Sequence, residues 1–204
     1  MEGIKNLIID FGGVIINLNR PRCLASFQAM GFDSIESLIT TTYLQKGFFR
    51  GIEEGSVSPE EFRADVRKLI PNQVTDEQID AAWNAMLVDV PAYKLELLLR
   101  LRSRFNTLLL SNTNQIHWEF ALKSAFQYKG LNVADFFNKI YLSYELHLLK
   151  PNPVIFEYVL RDANIRPEET LFIDDAQPNC DAAERLGIHT YSPKAGEDWS
   201  HLFE

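Results

Sequence analysis

Short apolar runs, each closed by a polar or turn-forming residue, recur at positions 7–9, 107–110, 140–142, 171–173 and 188–191. Their brevity and their Leu, Ile, Phe and Tyr content mark them as buried strands. Stretches of helical periodicity separate the later runs. Short buried strands alternating with amphipathic helices are the pattern of a parallel sheet covered on both faces. The expected fold class is therefore α/β, with a Rossmann-like parallel-sheet core whose ligands gather at the carboxyl ends of the strands.

Residues 16–90 carry a different pattern, with no buried strand but several well-punctuated helices. Ser58, Pro59 and Glu61 supply an N-cap hydroxyl, a first-turn proline and a capping glutamate, and Thr75 with Gln78 repeats the arrangement. Phe62, Val66 and Ile70 share one helical face, as do Ile79, Trp83, Met86 and Leu87. The reading is an all-helical insertion over 16–90 within a core formed by 1–15 and 91–204, with Pro91 marking the return.

Composition narrows the function classes. The 204 residues are 46% hydrophobic and include 14 Phe, enough to build a full core and to exclude a disordered chain. A formal net charge of −8 without any Lys/Arg run opposes nucleic-acid binding. The apolar stretch 95–101 is interrupted by Glu96 and Arg100 and is far shorter than the ~20 residues of a membrane helix, so no membrane association is expected. The N-terminus shows no secretory pattern, which points to the cytoplasm. Cys23 and Cys180 then read as reduced core residues.

Four groups of polar residues stand at strand ends. Asp10 follows the first strand and precedes Gly12 and Gly13, which allow the backbone to turn closely around a ligand. Ser111 and Asn112 close the second strand before a helix whose N-terminus favours anions. Lys150 precedes a proline-fixed helix start, where it offers a point charge to a phosphate. Asp174 and Asp175 follow another strand, with Asn179 close behind. Adjacent carboxylates repel unless a cation or hydrogen bonds compensate, and an all-oxygen donor set favours a hard ion such as Mg2+. Taken singly, these residues also read as a turn aspartate, an N-cap, a loop lysine and a solvated acidic pair. Their convergence on one rim of a parallel sheet is what argues for a site.

An aspartate nucleophile, a Ser and a Lys for phosphate, and an acidic pair for Mg2+ together resemble the haloacid dehalogenase superfamily of hydrolases, most of whose members are phosphatases. The runs from Asp10 to Val14, Ser111 to Asn114, Leu149 to Pro151 and Phe172 to Asn179 are similar to the subgroup that includes bacterial glucose-1-phosphate phosphatase. The resemblance implies that Asp10 attacks phosphorus to form an aspartyl-phosphate. It also implies that Asp10, the Gly12 carbonyl and Asp175 hold Mg2+, with Asp174 and Asn179 orienting them from outside. Ser111, the Asn112 backbone and Lys150 would hold the phosphoryl oxygens, and the helical insertion would act as a cap that selects a small phosphorylated metabolite, such as a sugar phosphate.

One position departs from the wider pattern. Most superfamily phosphatases carry an acid–base aspartate two residues after the nucleophile, where this chain has Gly12. A positioned proton donor typically contributes a factor of ~10² to 10⁴, so a good leaving group, water or a cap residue must substitute. Gly12 also keeps open a 2-haloacid dehalogenase, or an idle binding or regulatory protein on the same fold. In the insertion, Lys46 and Arg50 lie a helical turn apart and, with Arg20 and Arg22, are the available cations for an anionic substrate; a solvated cationic face is the plainer reading.

Overall fold

The computed structural model describes residues 3–39, 45–194 and 196–204. Strands β1 (Asn6–Ile9), β2 (Asn106–Ser111), β3 (Lys139–Leu142), β4 (Thr170–Ile173) and β5 (His189–Tyr191) form one sheet in the order β3-β2-β1-β4-β5. All pairings are parallel, with Ile9 opposite both Leu109 and Ile173. The α/β class and the five strands expected from the apolar runs are borne out.

Helices α1 (Arg20–Ala29), α2 (Gly47–Glu54), α3 (Pro59–Leu69), α4 (Asp76–Asn84) and α5 (Ala92–Arg102) lie between β1 and β2. Helices α6 (Gln115–Ser124) and α7 (Val133–Phe136) precede β3, α8 (Ser143–Leu146) and α9 (Pro153–Asp162) precede β4, and α10 (Gln177–Glu184) precedes β5. Side chains alternate across the strands. Leu7, Ile9, Leu109 and Ile173 join Leu98, Trp118 and Phe126 on one face, while Ile8, Leu108, Leu110 and Phe172 join Ile155, Phe156 and Val159 on the other. Burial on both faces explains why these strands are nearly all apolar rather than alternating with polar residues.

A separate apolar cluster holds α1 to α4 together, centred on Phe27, Phe49, Phe62 and Trp83. Phe49 meets Phe27, Phe62 and Trp83 edge-on at 6.0, 5.1 and 5.1 Å, contacts each worth ~0.5–1.5 kcal/mol beyond area burial. Both capping boxes form: Ser58 exchanges hydrogen bonds with Glu61 at 2.9 and 3.2 Å, and Thr75 with Gln78 at 2.8 and 3.3 Å. Arg63 clamps Asp80 through two bonds of 2.9 and 2.8 Å, locking α3 to α4. Apolar burial of Phe49 and Ile52 carries α2 despite its two glycines.

Outgoing and returning chain segments pair as they leave the sheet, Asn17 with Val88 and Asp89, and Asn19 with Met86. The loop after β1 is pinned from below, where the buried Lys94 ammonium and the Trp199 indole donate to the Val14 carbonyl at 2.6 and 3.2 Å. Cys23 and Cys180 are buried free thiols. No described helix is long and apolar enough to cross a membrane.

Candidate active site

Because β1 lies between β2 and β4, the residues following these strands meet at one rim. Connections run from β1 toward β3 on one side and toward β5 on the other, so the crevice beside β1 is the topological switch point at which α/β sheets bind ligands. Asp10, Ser111 and Asp174 stand there, Asp175 follows in the turn into α10, and Asn179 lies in the first turn of that helix. Gly13 makes the arrangement possible. Its φ of +76° suits glycine, and a Cβ there would lie 2.3 Å from Asp175 Oδ2.

Lys150 occupies the centre of the rim. Its ammonium donates to Asp10 Oδ1 and Asp174 Oδ2, each at 2.6 Å, and to the Leu110 carbonyl at 3.0 Å. These bonds use all three donors of a lysine. The sequence suggested a lysine aimed at phosphate; instead the side chain is only 1% exposed and ties the first strand to the fourth. Asn112 fixes the lysine from behind, its Oδ1 accepting from Lys150 N and its Nδ2 donating to Lys150 O, both at 2.9 Å. Asn179 Nδ2 donates to both Asp174 oxygens at 3.0 Å, and the Ala176 N–H donates to Asp174 Oδ1 at 2.8 Å. Asp174 is thus saturated by protein donors, whereas Asp10 Oδ2 makes no hydrogen bond among the described residues.

Burial is the largest influence on Asp10. With the charges of Asp174 and Asp175 it pushes the carboxyl up to about 8, against the pull of Lys150. Burial and the Asp174 charge likewise raise Asp175 to about 6. Burial opposes the Lys150 charge, but Asp10 and Asp174 outweigh it and hold the ammonium protonated. One oxygen from each of Asp10, Asp174 and Asp175 lies within 4.8 Å of the others. Three carboxyl groups share one ammonium, so they cannot all ionise cheaply without a further cation, and this all-oxygen donor set suits a hard divalent ion.

These groups floor a cavity of about 260 Å³. Its other walls come from Leu18, Arg20, Glu53, Leu87 and His117, among others. Arg20 donates through Nε to the Ile39 carbonyl at 3.1 Å and also through Nη2. His117 stacks on Trp83 at 4.3 Å, and because a carbonyl only accepts, its Nε2–H donates to Trp83 O at 3.1 Å. Burial lowers its pKa to about 4. Lys46 and Arg50 are exposed and line none of this cavity; Lys46 is the N-cap residue of α2, and Arg50 pairs with Glu54 at 3.7 Å. Arg22 is also exposed and off the cavity.

The family model for haloacid dehalogenase-like hydrolases matches residues 4–187, nearly the whole chain that builds this rim. The chain belongs to that family. The hydrolase is 36% identical over 196 residues to the D-ribitol-5-phosphate phosphatase of Bacteroides thetaiotaomicron, across 96% of this chain and 95% of that one. It is 53% identical to a haloacid dehalogenase family enzyme of the same organism solved with magnesium and inorganic phosphate, with a TM-score of 0.94 over 98% of this chain and 100% of that one. A predicted hydrolase of this family from Porphyromonas gingivalis matches at 38% identity and a TM-score of 0.90, over 98% of both chains.

Glu53 and His117 are cavity residues that the hydrolase's sequence pattern does not expose. Glu53 sits on a short helix whose apolar face alone is readable, and His117 falls in the first turn of α6 beside apolar neighbours. Their relation to Asp10 arises from tertiary packing across more than forty intervening positions.

Proposed function

We propose that this hydrolase is a Mg2+-dependent phosphomonoester hydrolase acting on a small phosphorylated metabolite, a polyol or sugar phosphate, with Asp10 as its nucleophile. The observation that carries the reading is the Asp10–Lys150–Asp174 chain of 2.6 Å bonds with Asp175 alongside, at the floor of a cavity small enough for a metabolite. Relatives named as a polyol-phosphate phosphatase and as a magnesium–phosphate complex support the substrate class and the cation. A dehalogenase would have no use for the surplus negative charge around Asp175.

Asp10, Asp175 and the Gly12 carbonyl hold the Mg2+, whose charge offsets repulsion between an anionic nucleophile and an anionic phosphoryl group. Asp10 Oδ2 attacks phosphorus as the alcohol departs in line, forming an aspartyl-phosphate. The Ser111 hydroxyl and the Asn112 backbone N–H bind phosphoryl oxygens. Lys150, with its donors already engaged, keeps Asp10 oriented and contributes its charge. Asp174 and Asn179 hold that lysine in place. Water then cleaves the phosphorus–oxygen bond of the intermediate, restoring the Asp10 carboxylate and releasing phosphate.

Residues 16–90 serve as the cap on this core, closing the cavity with Leu18, Arg20, Glu53 and Leu87. A panel of phosphorylated metabolites that includes D-ribitol 5-phosphate, assayed for phosphate release with Mg2+ and with EDTA, tests the reading. Turnover with Mg2+ that EDTA abolishes is expected. Halide release from a 2-haloacid without Mg2+, and no phosphate release from any ester, would replace it with the dehalogenase.

A further inference from the structure

The missing acid–base group at Gly12 is not a gap that water fills, because an apolar side chain stands there. A Cβ built on Gly12 would lie 3.2 Å from Leu18 Cδ1, so the leucine covers the position from which the usual aspartate would reach. Proton transfer to the leaving group must come from elsewhere. In-line displacement fixes where: the departing oxygen points away from Asp10, toward the side of the cavity opposite the sheet edge.

Among the described residues, few groups on that side exchange protons. Arg20 stays charged at any working pH and is bound to the Ile39 carbonyl. His117 is a neutral imidazole whose one N–H is committed to Trp83 O. Glu53 remains. It is half-buried, lines the same cavity as Asp10, and no side chain among the described residues bonds its carboxyl group.

Its backbone, by contrast, is anchored to the sheet domain. The Ser143 hydroxyl lies 2.6 Å from the Glu53 carbonyl and accepts from the Thr113 N–H at 2.9 Å, tying α2 to the residues just beyond Ser111. His147 Nδ1 lies 3.2 Å from the Glu54 carbonyl. At Gly55 the backbone passes so close to Tyr144 that a Cβ would meet its carbonyl oxygen at 2.1 Å. A carboxyl group on a fixed backbone, lining a cavity and without a side-chain partner among the described residues, is positioned for a ligand.

We infer that Glu53 is the catalytic acid and base of this hydrolase, taking the place of the aspartate that Gly12 replaces. The inference rests on the phosphatase reading above. As Asp10 bonds to phosphorus, the Glu53 carboxylic acid gives its proton to the leaving alkoxide, releasing a neutral alcohol. The resulting carboxylate then takes a proton from the water that attacks the aspartyl-phosphate, which regenerates the acid. Burial supports this cycle by raising the Glu53 carboxyl to about 8, so that it is protonated when substrate arrives. The charged and titratable groups that share its cavity are Asp10, Lys150, Asp174 and Asp175 on the rim, Arg20 on α1 and His117 on α6; Arg50 and Glu54 flank it on α2, and His147 approaches the Glu54 carbonyl from the segment after α8.

Leaving groups of different basicity test the assignment, because p-nitrophenolate departs without a proton whereas phenolate and a polyol alkoxide need one increasingly. In Glu53→Gln the loss in kcat/KM should grow with leaving-group basicity, smallest for p-nitrophenyl phosphate, larger for phenyl phosphate and ~10² or more for D-ribitol 5-phosphate. Equal losses on every ester, or no loss on any, would overturn the role. A second readout needs no turnover: in Mg2+-free protein labelled at glutamate Cδ, one carboxyl should titrate near 8 and vanish in Glu53→Gln. Titration of every glutamate below pH 6 would also overturn it. Asp10→Asn separates the two claims, since retained p-nitrophenyl phosphate hydrolysis in that variant defeats the phosphatase reading itself, whatever Glu53 does.

Discussion

Replacing Lys150 by Met tests the buried charge network at the rim. Methionine keeps most of the lysine's length and its packing beside the Phe172 ring, so little cavity volume is created. What changes is charge. The ammonium bonds Asp10 and Asp174 at 2.6 Å, and the Asp174 and Lys150 side chains are each only 1% exposed. Removing one partner of such a pair strands the other in a low-dielectric site, at a typical cost of ~3–5 kcal/mol. Here two carboxylates are stranded beside a third, Asp175, so the upper half of that range is expected. Urea denaturation in EDTA, fitted by linear extrapolation, measures it. The triple variant Asp10→Asn, Lys150→Met, Asp174→Asn removes the stranded charges and should recover most of the loss, ending within ~1–2 kcal/mol of wild type. A single variant within ~1 kcal/mol of wild type, or a triple variant no more stable than the single, would refute the electrostatic reasoning.

Three further outcomes follow from particular contacts. Gly13→Ala places a Cβ 2.3 Å from Asp175 Oδ2 at a φ of +76°, so Asp175 must move; Mg2+ affinity by calorimetry should fall at least ~10-fold (~1.4 kcal/mol), and unchanged affinity would detach Asp175 from the cation. His117 has a folded pKa near 4 against 6.5 for the free side chain, so between these values the unfolded chain binds more protons. Its contribution is complete above pH 6.5 and is lost as pH falls toward 4, roughly 3 kcal/mol in all; denaturation at both pH values should show that part of the pH dependence missing in His117→Gln. Lys46→Ala and Arg50→Ala should leave KM for any turned-over phosphate ester within about twofold, since neither lines the cavity, and a tenfold rise would return them to substrate binding.

The sheet and its rim were legible because their signals are local. A buried strand announces itself as an apolar run, and the carboxyl-edge rule then gathers Asp10, Ser111 and Asp174 without any knowledge of the intervening chain. The capping boxes at Ser58 and Thr75 were readable for the same reason. For Lys150, spacing gives its position, whereas its ion pairs with two carboxylates depend on β1 and β4 being neighbours, with the lysine reaching in from the loop before α9. Asn112 likewise holds Lys150 through its side chain, a pairing between residues 38 positions apart that no sequence pattern encodes. Lys46 and Arg50 are exposed, Lys46 as the N-cap residue and Arg50 within α2, because the apolar Phe49 and Ile52 turn the opposite face inward. Glu53 was invisible, since its approach to the cavity is set by how α2 docks on α8 through Ser143 and Gly55.

The most direct test of the central claim is to trap the covalent intermediate during Mg2+-dependent turnover of p-nitrophenyl phosphate. Acid quenching followed by borohydride reduction converts an aspartyl-phosphate to homoserine, which peptide mass spectrometry locates by position. Homoserine at position 10, absent without substrate and absent in Asp10→Asn, is the expected result. Sustained phosphate release with residue 10 unmodified, or with the modification at any other aspartate, would contradict the account.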